Sequence, residues 1–220
     1  MEKLCYLPKH PDIKMYQDTD MFCINTDTEV LGEFLDIKKS DNVLDIGTNN
    51  GALLLYASLF APNSLTGLDI NPYALPLAEK NLKLNNINNF KLVNADIMSY
   101  KGEEKDVIIC NPPYFKTKED NKADNEFKNL AKHEGHLTLA GLIKSISLNL
   151  KDSGRLFFLN LSSRLDEVLI ELNKNNLTPK IIQFVHDENK DYSNVFMVKA
   201  IKNADQGLFV KSPIIIRRTK

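Results

Sequence analysis

The chain has 220 residues, 43% of them hydrophobic, which is enough for one large domain around a buried core. Its 28 Lys and Arg residues nearly balance 29 Asp and Glu residues, and the net charge of −1 excludes a uniformly basic surface for nucleic acid. Three widely separated cysteines indicate neither a disulfide framework nor a zinc site. The sequence has no apolar run near the ~20 residues of a membrane span and no signal peptide, so we expect a cytoplasmic protein.

The first 40 residues are predicted to form an irregular lead-in that ends in a helix, with Thr26 or Asp27 as its cap. Strands and helices then alternate over residues 41–220, which predicts one α/β domain with a mostly parallel sheet and helices on both faces. The last two strands are joined by a short polar connection and are expected to form an antiparallel pair. The predicted elements are strand 42–46, helix 52–60, strand 65–70, helix 71–85, strand 90–93, strand 107–110, helix 137–150, strand 155–161, helix 164–175 and strands 181–186 and 195–201.

A short apolar strand, residues 107–110, is followed directly by Asn111, Pro112, Pro113 and Tyr114. Two prolines cannot continue a sheet, so Asn111 is expected at the carboxyl end of the strand, where open α/β sheets bind ligands. The Asn111 amide and the Pro112 carbonyl offer acceptors, and Tyr114 offers an aromatic face. Such groups suit a planar molecule with an exocyclic amine. The alternative is an ordinary turn after an edge strand.

Three acids lie at or next to the carboxyl ends of three successive predicted strands. Asp45, Asp69 and Asp96 are each separated by about one strand–helix unit, so all three are expected along one crevice at the carboxyl edge of the sheet. Gly47 and Gly51 let the first turn pass close to a ligand. Asp69 stands where a dinucleotide-binding fold presents an acid to ribose hydroxyls. A glycine turn alone is weak evidence, but the acids and the Asn-Pro-Pro-Tyr motif together are specific.

With these motifs the chain resembles a class I S-adenosylmethionine-dependent methyltransferase that modifies amino groups, which implies a Rossmann-like fold. The sequence departs from the pattern of that family at Asn49, which replaces a glycine, although Asn adopts left-handed geometry more readily than most residues. The resemblance implies that S-adenosyl-L-methionine is bound by Asp45, Gly47, Asn49 and Gly51 at its methionine part, by Thr26 over the methionine carboxylate, by Asp69 at the ribose, by Asp96, Ile70 and Ile97 at the adenine, and by Asn111.

The resemblance extends to bacterial methyltransferases that act on N6 of adenine 37, next to the anticodon of valine tRNA. It is carried by Thr26-Asp27, by Ala131-Lys132-His133-Glu134 and by residues 181–186. The motif of residues 111–114 does not by itself choose a substrate, because enzymes acting on DNA adenine, rRNA bases and a release-factor glutamine share it. About 40 residues precede the cofactor turn, too few for the helical recognition domain of the glutamine enzymes. The resemblance thus implies the anticodon arm of tRNA as the partner.

Because the net charge is close to zero, RNA must be held by a few placed cations. His133 and His136 flank Glu134, but no further ligand has a fitting spacing, so we expect no metal. A monomer is favoured. Two other classes stay open: a methyltransferase for an amine in rRNA or in a protein glutamine, and a non-catalytic RNA adaptor of the same fold. The residues predicted to contact RNA are Lys116, Lys132, His133, Arg164, Arg217 and Arg218.

Overall fold

The computed structural model of the protein describes residues 2–19, 23–112 and 137–217. Within these ranges the strands are β1 (Glu2–Leu7), β2 (His10–Asp18), β3 (Asn42–Ile46), β4 (Ser64–Asp69), β5 (Phe90–Asn94), β6 (Lys105–Cys110), β7 (Leu150–Leu161), β8 (Leu177–Asp187), β9 (Ser193–Lys202), β10 (Phe209–Val210) and β11 (Ile214–Ile216). The helices are α1 (Thr26–Phe34), α2 (Ala52–Ser58), α3 (Leu75–Leu84), α4 (Leu139–Leu148) and α5 (Leu165–Lys174), and a 3-10 turn precedes α5 at Ser162–Arg164.

Nine of these strands form one sheet in the order β10-β8-β9-β7-β6-β3-β4-β5, with β11 also paired to β8. Strands β3 to β7 run parallel to one another, and β9 is antiparallel to both of its neighbours, β7 and β8. The expected mostly parallel sheet with an antiparallel C-terminal pair is confirmed. Because β8 is antiparallel to β9, it runs in the same direction as β7. The carboxyl ends of β8 and of its parallel partner β11 therefore lie at the same edge as those of β3 to β7.

The sheet is buried on both faces, as expected for parallel strands covered by helices. Along β7, Phe157 and Leu159 pack in the core shared with α1 and α2, whereas Leu156 and Phe158 pack in the core shared with α4 and α5. Strand β6 lies between β3 and β7, and its last four residues are almost fully buried. This confirms that the strand before Asn111 is central. No helix of the described residues has the length and hydropathy needed to cross a membrane.

The lead-in differs from the expectation. It contains the antiparallel hairpin β1–β2, whose turn has Lys9 at φ 63°. Two-residue hairpin turns are usually recognised in a sequence by Asn-Gly or a similar pair, because these residues adopt left-handed geometry easily. This turn has Lys9 in the left-handed position instead, which is uncommon for a non-glycine residue, so the sequence did not predict the hairpin. The helix cap is also corrected: the Asn25 side chain accepts the Thr28 N–H at 3.0 Å, and Thr26 is the first helical residue.

Several other bounds move. Helix α3 begins at Leu75 rather than Asn71, because residues 71–74 form a turn in which the Asn71 side chain accepts the Tyr73 N–H at 3.0 Å. Strand β7 begins at Leu150 rather than residue 155, and the helix before it ends at Leu148 rather than residue 150. The short strands β10 and β11 were not predicted, since two or three residues are too few to show a period.

A buried asparagine of α3 joins the hairpin to the turn after β3. Asn81 is fully buried; its Oδ1 accepts the Tyr16 N–H at 2.6 Å, and its Nδ2 donates to the carbonyls of Tyr16 and Asn50, both at 2.9 Å. Asn85, one turn later, binds Lys14 of the hairpin in the same two-sided manner. The lead-in is therefore packed onto the domain next to the turn that follows β3.

Candidate active site

The turn after β3 is held by its own backbone. Gly47, Asn49 and Gly51 all have positive φ, at 74°, 47° and 80°. The Gly47 and Thr48 N–H groups both donate to the Leu68 carbonyl of β4, at 2.8 and 3.0 Å. A Cβ added to Gly47 would meet no atom within 4 Å, so that side of the turn faces open space. The Gly51 position is closed instead, with Ala78 of α3 only 3.3 Å from an added Cβ.

Asp45 lies at the end of β3 under this turn. It is 0% exposed, and neither of its carboxylate oxygens has a hydrogen-bond partner in the part of the chain that the structure describes. Burial raises the pKa of Asp45 to about 7; the nearby Thr48 hydroxyl acts in the opposite direction, and the charge of Asp69 adds to the rise. The Thr48 hydroxyl does not reach hydrogen-bond geometry with any described group. A buried carboxylate without a partner is costly unless a ligand satisfies it.

Asp69 ends β4 and binds two turns at once. Its Oδ2 accepts the Asn49 N–H at 2.7 Å, and its Oδ1 accepts the Asn71 N–H at 2.9 Å. Each carboxylate oxygen has a further lone pair for a ligand. With the N–H groups of Gly47, Thr48 and Asn49 all donating to protein acceptors, the capacity of the β3 turn to bind a ligand rests on the Asp45 carboxylate and the Thr48 hydroxyl.

The third acid and the two isoleucines lie after β4 and β5. Asp96 is exposed, and its Oδ1 accepts the Met98 N–H at 2.8 Å. Ile70 is 46% exposed, whereas Ile97 is 5% exposed and packs in the core on the α4 side. The Asn94 side chain donates to the carbonyls of Asp69 and Ile70, both at 2.9 Å, and so holds the two strand ends together.

Asn111 follows β6, and the strand register places it next to the β3 turn. Cys110 is paired with Ile46 of β3, so Asn111 and Gly47 are the first residues after the ends of two adjacent strands. Asn111 is partly buried and Pro112 is buried. Cys110 is buried as well, and desolvation, with the charge of Asp45, raises the pKa of its thiol well above the usual value.

The remaining predicted residues lie in several places. Thr26 is exposed in the first turn of α1. Arg164 is 9% exposed, and its guanidinium donates to both carboxylate oxygens of Glu167, at 2.8 and 2.7 Å. Arg217 is exposed and follows β11 directly, at the carboxyl edge of the sheet. Pro113, Tyr114, Lys116, Lys132, His133 and Arg218 lie outside the described residues.

An open cavity of about 760 Å³ was not anticipated. It lies at the carboxyl edge between the end of β7, the first turn of α1 and the start of β9. The rule that ligands bind after strand ends, applied to Ser162 and Ser163, would have indicated the β7 side. The residues that line the cavity are Asp27, Leu161, Ser162, Ser163, Tyr192, Ser193, Asn194 and Val195.

A family model described as methyltransferase small domain matches residues 12–158, more than half of the chain. The chain belongs to this methyltransferase family. Its cofactor is S-adenosyl-L-methionine, which confirms the expected cofactor. The described residues fit such a ligand: an unpartnered buried carboxylate, an unpartnered hydroxyl and a glycine facing open space meet at one turn.

Relatives of this methyltransferase act on different amino groups according to their names. The chain is 30% identical over 155 residues, 70% of its own length and 66% of the relative, to a tRNA1(Val) (adenine(37)-N6)-methyltransferase of Pseudoalteromonas translucida. It is 29% identical over 176 residues, 74% of its length and 61% of the relative, to a release factor glutamine methyltransferase of Streptococcus pneumoniae. The chain spans about half to two thirds of the length of several curated relatives that it matches.

The fold of this methyltransferase agrees with solved structures. A protein of Agrobacterium tumefaciens described as a predicted O-methyltransferase superposes with a TM-score of 0.66 and 17% identity, covering 86% of this chain and 87% of the other. At this identity the likeness concerns the fold alone. It confirms the Rossmann-like methyltransferase architecture expected from the alternating strands and helices.

Proposed function

We propose that the protein transfers a methyl group from S-adenosyl-L-methionine to N6 of an adenine in tRNA, namely adenine 37 next to the anticodon of valine tRNA. The observation that carries the proposal is the juxtaposition at the carboxyl edge. Asn111 and Pro112 leave β6 beside the Gly47 turn of β3, so an amine held by the first pair would lie next to a cofactor held by the second. We place the reaction in the cytoplasm.

On the cofactor side, each acid would have a separate task. Asp45 would bind the methionine ammonium, because its two carboxylate oxygens are buried and accept no hydrogen bond from the described residues. Asp69 accepts the ribose hydroxyls with the lone pairs that the Asn49 and Asn71 N–H groups leave over. Asp96 would accept from the adenine amine, with Ile70 and Ile97 against the ring. When bound, the cofactor supplies a methyl group on a positively charged sulfur.

On the substrate side, the residues supply acceptors rather than a strong base. The adenine amine is a poor nucleophile, because its lone pair is delocalised into the ring. If the Asn111 side-chain oxygen and the Pro112 carbonyl accept its two hydrogens, the nitrogen becomes pyramidal and its lone pair can point at the methyl group. Both acceptors are fixed before the reaction, so they stabilise the positive charge that develops on nitrogen. Tyr114 would stack on the base, a contact worth about 1–3 kcal/mol.

The choice of RNA is supported by the placement of cations. Arg217 follows β11 at the carboxyl edge, so the basic tail that continues with Arg218 leaves the sheet on the side of Asn111. Lys116, Lys132 and His133 belong to the stretch between β6 and α4 and would add further contacts. Arg164 would act mainly by fixing the start of α5, because Glu167 holds its guanidinium.

The test is methyl transfer from labelled S-adenosyl-L-methionine into total unmodified tRNA, followed by nucleoside analysis and by mapping of the modified position. We expect N6-methyladenosine at position 37 of valine tRNA. Transfer into rRNA or into a release-factor peptide, with none into tRNA, would instead assign the protein to the other amines. The glutamine alternative has support from the relative of Streptococcus pneumoniae.

The Asn111→Ala variant serves as the catalytic control. Its affinity for S-adenosyl-L-methionine should be nearly unchanged, because Asn111 is only one of many cofactor contacts, and its kcat should fall by about 10²-fold or more, the scale for the loss of one preorganised group. A near-normal rate of single turnover in this variant contradicts the proposed mechanism, whichever substrate is used. If the wild-type protein binds RNA but transfers no methyl group to any nucleic acid or peptide, the alternative of a non-catalytic RNA adaptor is favoured.

A further inference from the structure

The cavity beside β7 contains none of the three cofactor acids, although it includes the first turn of α1, which also carries Thr26. Cys110 of β6 pairs with Phe158 of β7, so Asn111 and Pro112 lie level with Leu159 and Asn160. Leu161 and Ser162, which line the cavity, come next along β7. The cavity therefore lies on the β7 side of Asn111 and Pro112, away from β3 and β4, where the cofactor turn lies.

The hydrogen-bond pattern makes the cavity rich in acceptors. The Ser193 hydroxyl lies 2.9 Å from the Val185 carbonyl and 2.8 Å from the Val195 carbonyl, so its hydrogen is donated to one of them. The Ser162 hydroxyl, 2.8 Å from Ser193 Oγ, must then donate its own hydrogen to Ser193. Ser162 Oγ consequently presents lone pairs to the cavity, and Asp27 adds a carboxylate to the lining. A phosphate would be repelled by these groups, whereas hydroxyl and amine donors would be bound.

The rim of the cavity offers an aromatic surface next to a cation. Tyr192 is 66% exposed, so its ring is accessible to a ligand in the cavity. Lys190 Nζ is 5.6 Å from the centre of the Tyr192 ring and donates to Asn194 Oδ1 at 3.0 Å. The lining thus combines an exposed aromatic ring, hydrogen-bond acceptors and a nearby ammonium, which can contact the base, the hydroxyl donors and the phosphate of a nucleoside.

We propose that this cavity binds a ribonucleoside that flanks the target adenine in the RNA, an inference that rests on the proposed function. The flanking base stacks on Tyr192, its ribose 2′-hydroxyl donates to Ser162 Oγ, and its phosphate lies near Lys190. The cavity thereby selects RNA over DNA, because only RNA has the 2′-hydroxyl donor. This role involves no contact with the reacting atoms.

The experiment uses a synthetic stem-loop RNA with the anticodon sequence of valine tRNA. For Tyr192→Ala we expect the KM for this RNA to rise by about 5- to 100-fold, the equivalent of one lost stack, with kcat changed by about twofold or less and cofactor affinity unchanged. Tyr192→Phe keeps the ring and should behave as the wild type. If Tyr192→Ala leaves KM unchanged, or Tyr192→Phe raises it equally, the stacking role is wrong.

Two altered RNAs identify the ligand. In the first set of RNAs, the base is removed at one flanking position at a time. At one of these positions, the wild type should show the same rise in KM that Tyr192→Ala shows with the intact RNA, and Tyr192→Ala should show no further rise. Fully additive losses at both positions overturn the proposal. A 2′-deoxy substitution at the same position should weaken the wild type by about 2- to 10-fold and leave Ser162→Ala, already weakened, unaffected. Equal sensitivity of both proteins removes Ser162 from the site.

The outcome separates the two proposals. If the wild type methylates the stem-loop but the Tyr192 variants match it, the tRNA function stands and the cavity assignment fails. If the wild type methylates no RNA, the proposed function fails, and equilibrium binding of the same stem-loop then judges the cavity. Equal Kd values for the wild type and Tyr192→Ala in that measurement overturn the inference.

Discussion

Asp45 has the most unusual environment of the three acids in the site. It is fully buried, has no hydrogen-bond partner among the described residues and lies near the neutral thiol of Cys110. Its pKa in the folded protein, about 7, exceeds the ordinary value of 3.8. The folded state therefore holds this proton more tightly than the unfolded state. The tighter proton binding adds about 4 kcal/mol to the free energy of unfolding below pH 3.8. This contribution is lost as the pH rises to about 7.

The affinity for S-adenosyl-L-methionine should depend on this titration. Because the ionised carboxylate is the form that binds an ammonium, we expect affinity to rise by at least tenfold from pH 5.5 to 7.5, with proton release on binding. Calorimetric titration in buffers of different ionisation enthalpy measures both quantities. Asp45→Asn should bind S-adenosyl-L-methionine weakly and with little dependence on pH. Between pH 4 and 7 its free energy of unfolding should fall less than that of the wild type. A flat affinity profile for the wild type would remove Asp45 from the ammonium site.

Asn49 occupies the left-handed position at which the family pattern has a glycine. We expect Asn49→Gly to retain cofactor affinity within about threefold, because the N–H that binds Asp69 is kept. Asn49→Ala should lower the free energy of unfolding by about 1 kcal/mol and weaken the cofactor, since alanine tolerates this geometry poorly. Asn86, at φ 58° after α3, is the matched control: Asn86→Ala should cost similar stability in thermal denaturation with no loss of cofactor affinity.

Asp69 should be both a ligand group and a clamp. Asp69→Ala removes the expected ribose contact and leaves the Asn49 and Asn71 N–H groups without their acceptor. We expect the Kd for S-adenosyl-L-methionine to rise by about 10- to 100-fold, consistent with the loss of charge-assisted hydrogen bonds. Asp106 offers a control, since its carboxylate accepts the Asn42 N–H at the opposite edge. If Asp106→Ala weakens the cofactor as much as Asp69→Ala does, the effect is one of stability alone.

For single residues, the positions of the acids could be predicted from the sequence, but their hydrogen-bond partners could not. Asp45 and Asp69 lie in the last residues of their strands and Asn111 follows β6, as predicted, because alternating strands and helices determine which residues reach one edge. The shared use of Asp69 by two turns depends on the side-chain rotamer and was not predictable. Thr48 was missed, since an ordinary threonine in a turn has no signal that its hydroxyl is buried without a partner.

Among the elements, the N-terminal hairpin has a closer link to the cofactor turn than its position in the chain suggests. Asn81 binds Tyr16 of β2 and the Asn50 carbonyl through one amide group. The sequence predicted α3 but not this contact, because the hairpin had no turn signal and its partner helix is about 65 residues away. The sheet order beyond β7 was likewise open, although the antiparallel pairing of β8 and β9 was predicted.

We expect Asn81→Ala to lower the free energy of unfolding by about 1–3 kcal/mol, the cost of leaving buried polar groups unpaired, and to weaken cofactor binding by freeing the turn at Asn50. Asn85→Ala is the matched variant, because Asn85 binds the hairpin at Lys14 in the same manner but does not contact the turn. It should lose stability only. Equal cofactor affinity in the two variants would show that the hairpin and the turn are independent.

Over the whole molecule, the net charge of −1 means that the proposed RNA binding would depend on a small number of cations at one edge. A few phosphate contacts predict a modest dependence on salt, with a slope of about −0.7 to −0.9 per neutralised phosphate in a plot of log K against log salt. Removal of residues 217–220 should weaken tRNA binding and flatten this slope without changing cofactor affinity. If the shortened chain binds tRNA as the full chain does at every salt concentration, the tail makes no contact.

The common direction of β3 to β8 also determines how the protein can be held for measurement. Cofactor acids, the Asn111 motif, the β7 cavity and Arg217 all emerge at the carboxyl edge, and the opposite edge carries turns such as the exposed Lys39 before β3. A tether or a fluorophore attached there would leave the reactive side facing the solvent. Single molecules anchored through a cysteine in place of Lys39 should therefore bind tRNA at the rate seen in free solution, whereas anchoring at Tyr192 should obstruct it.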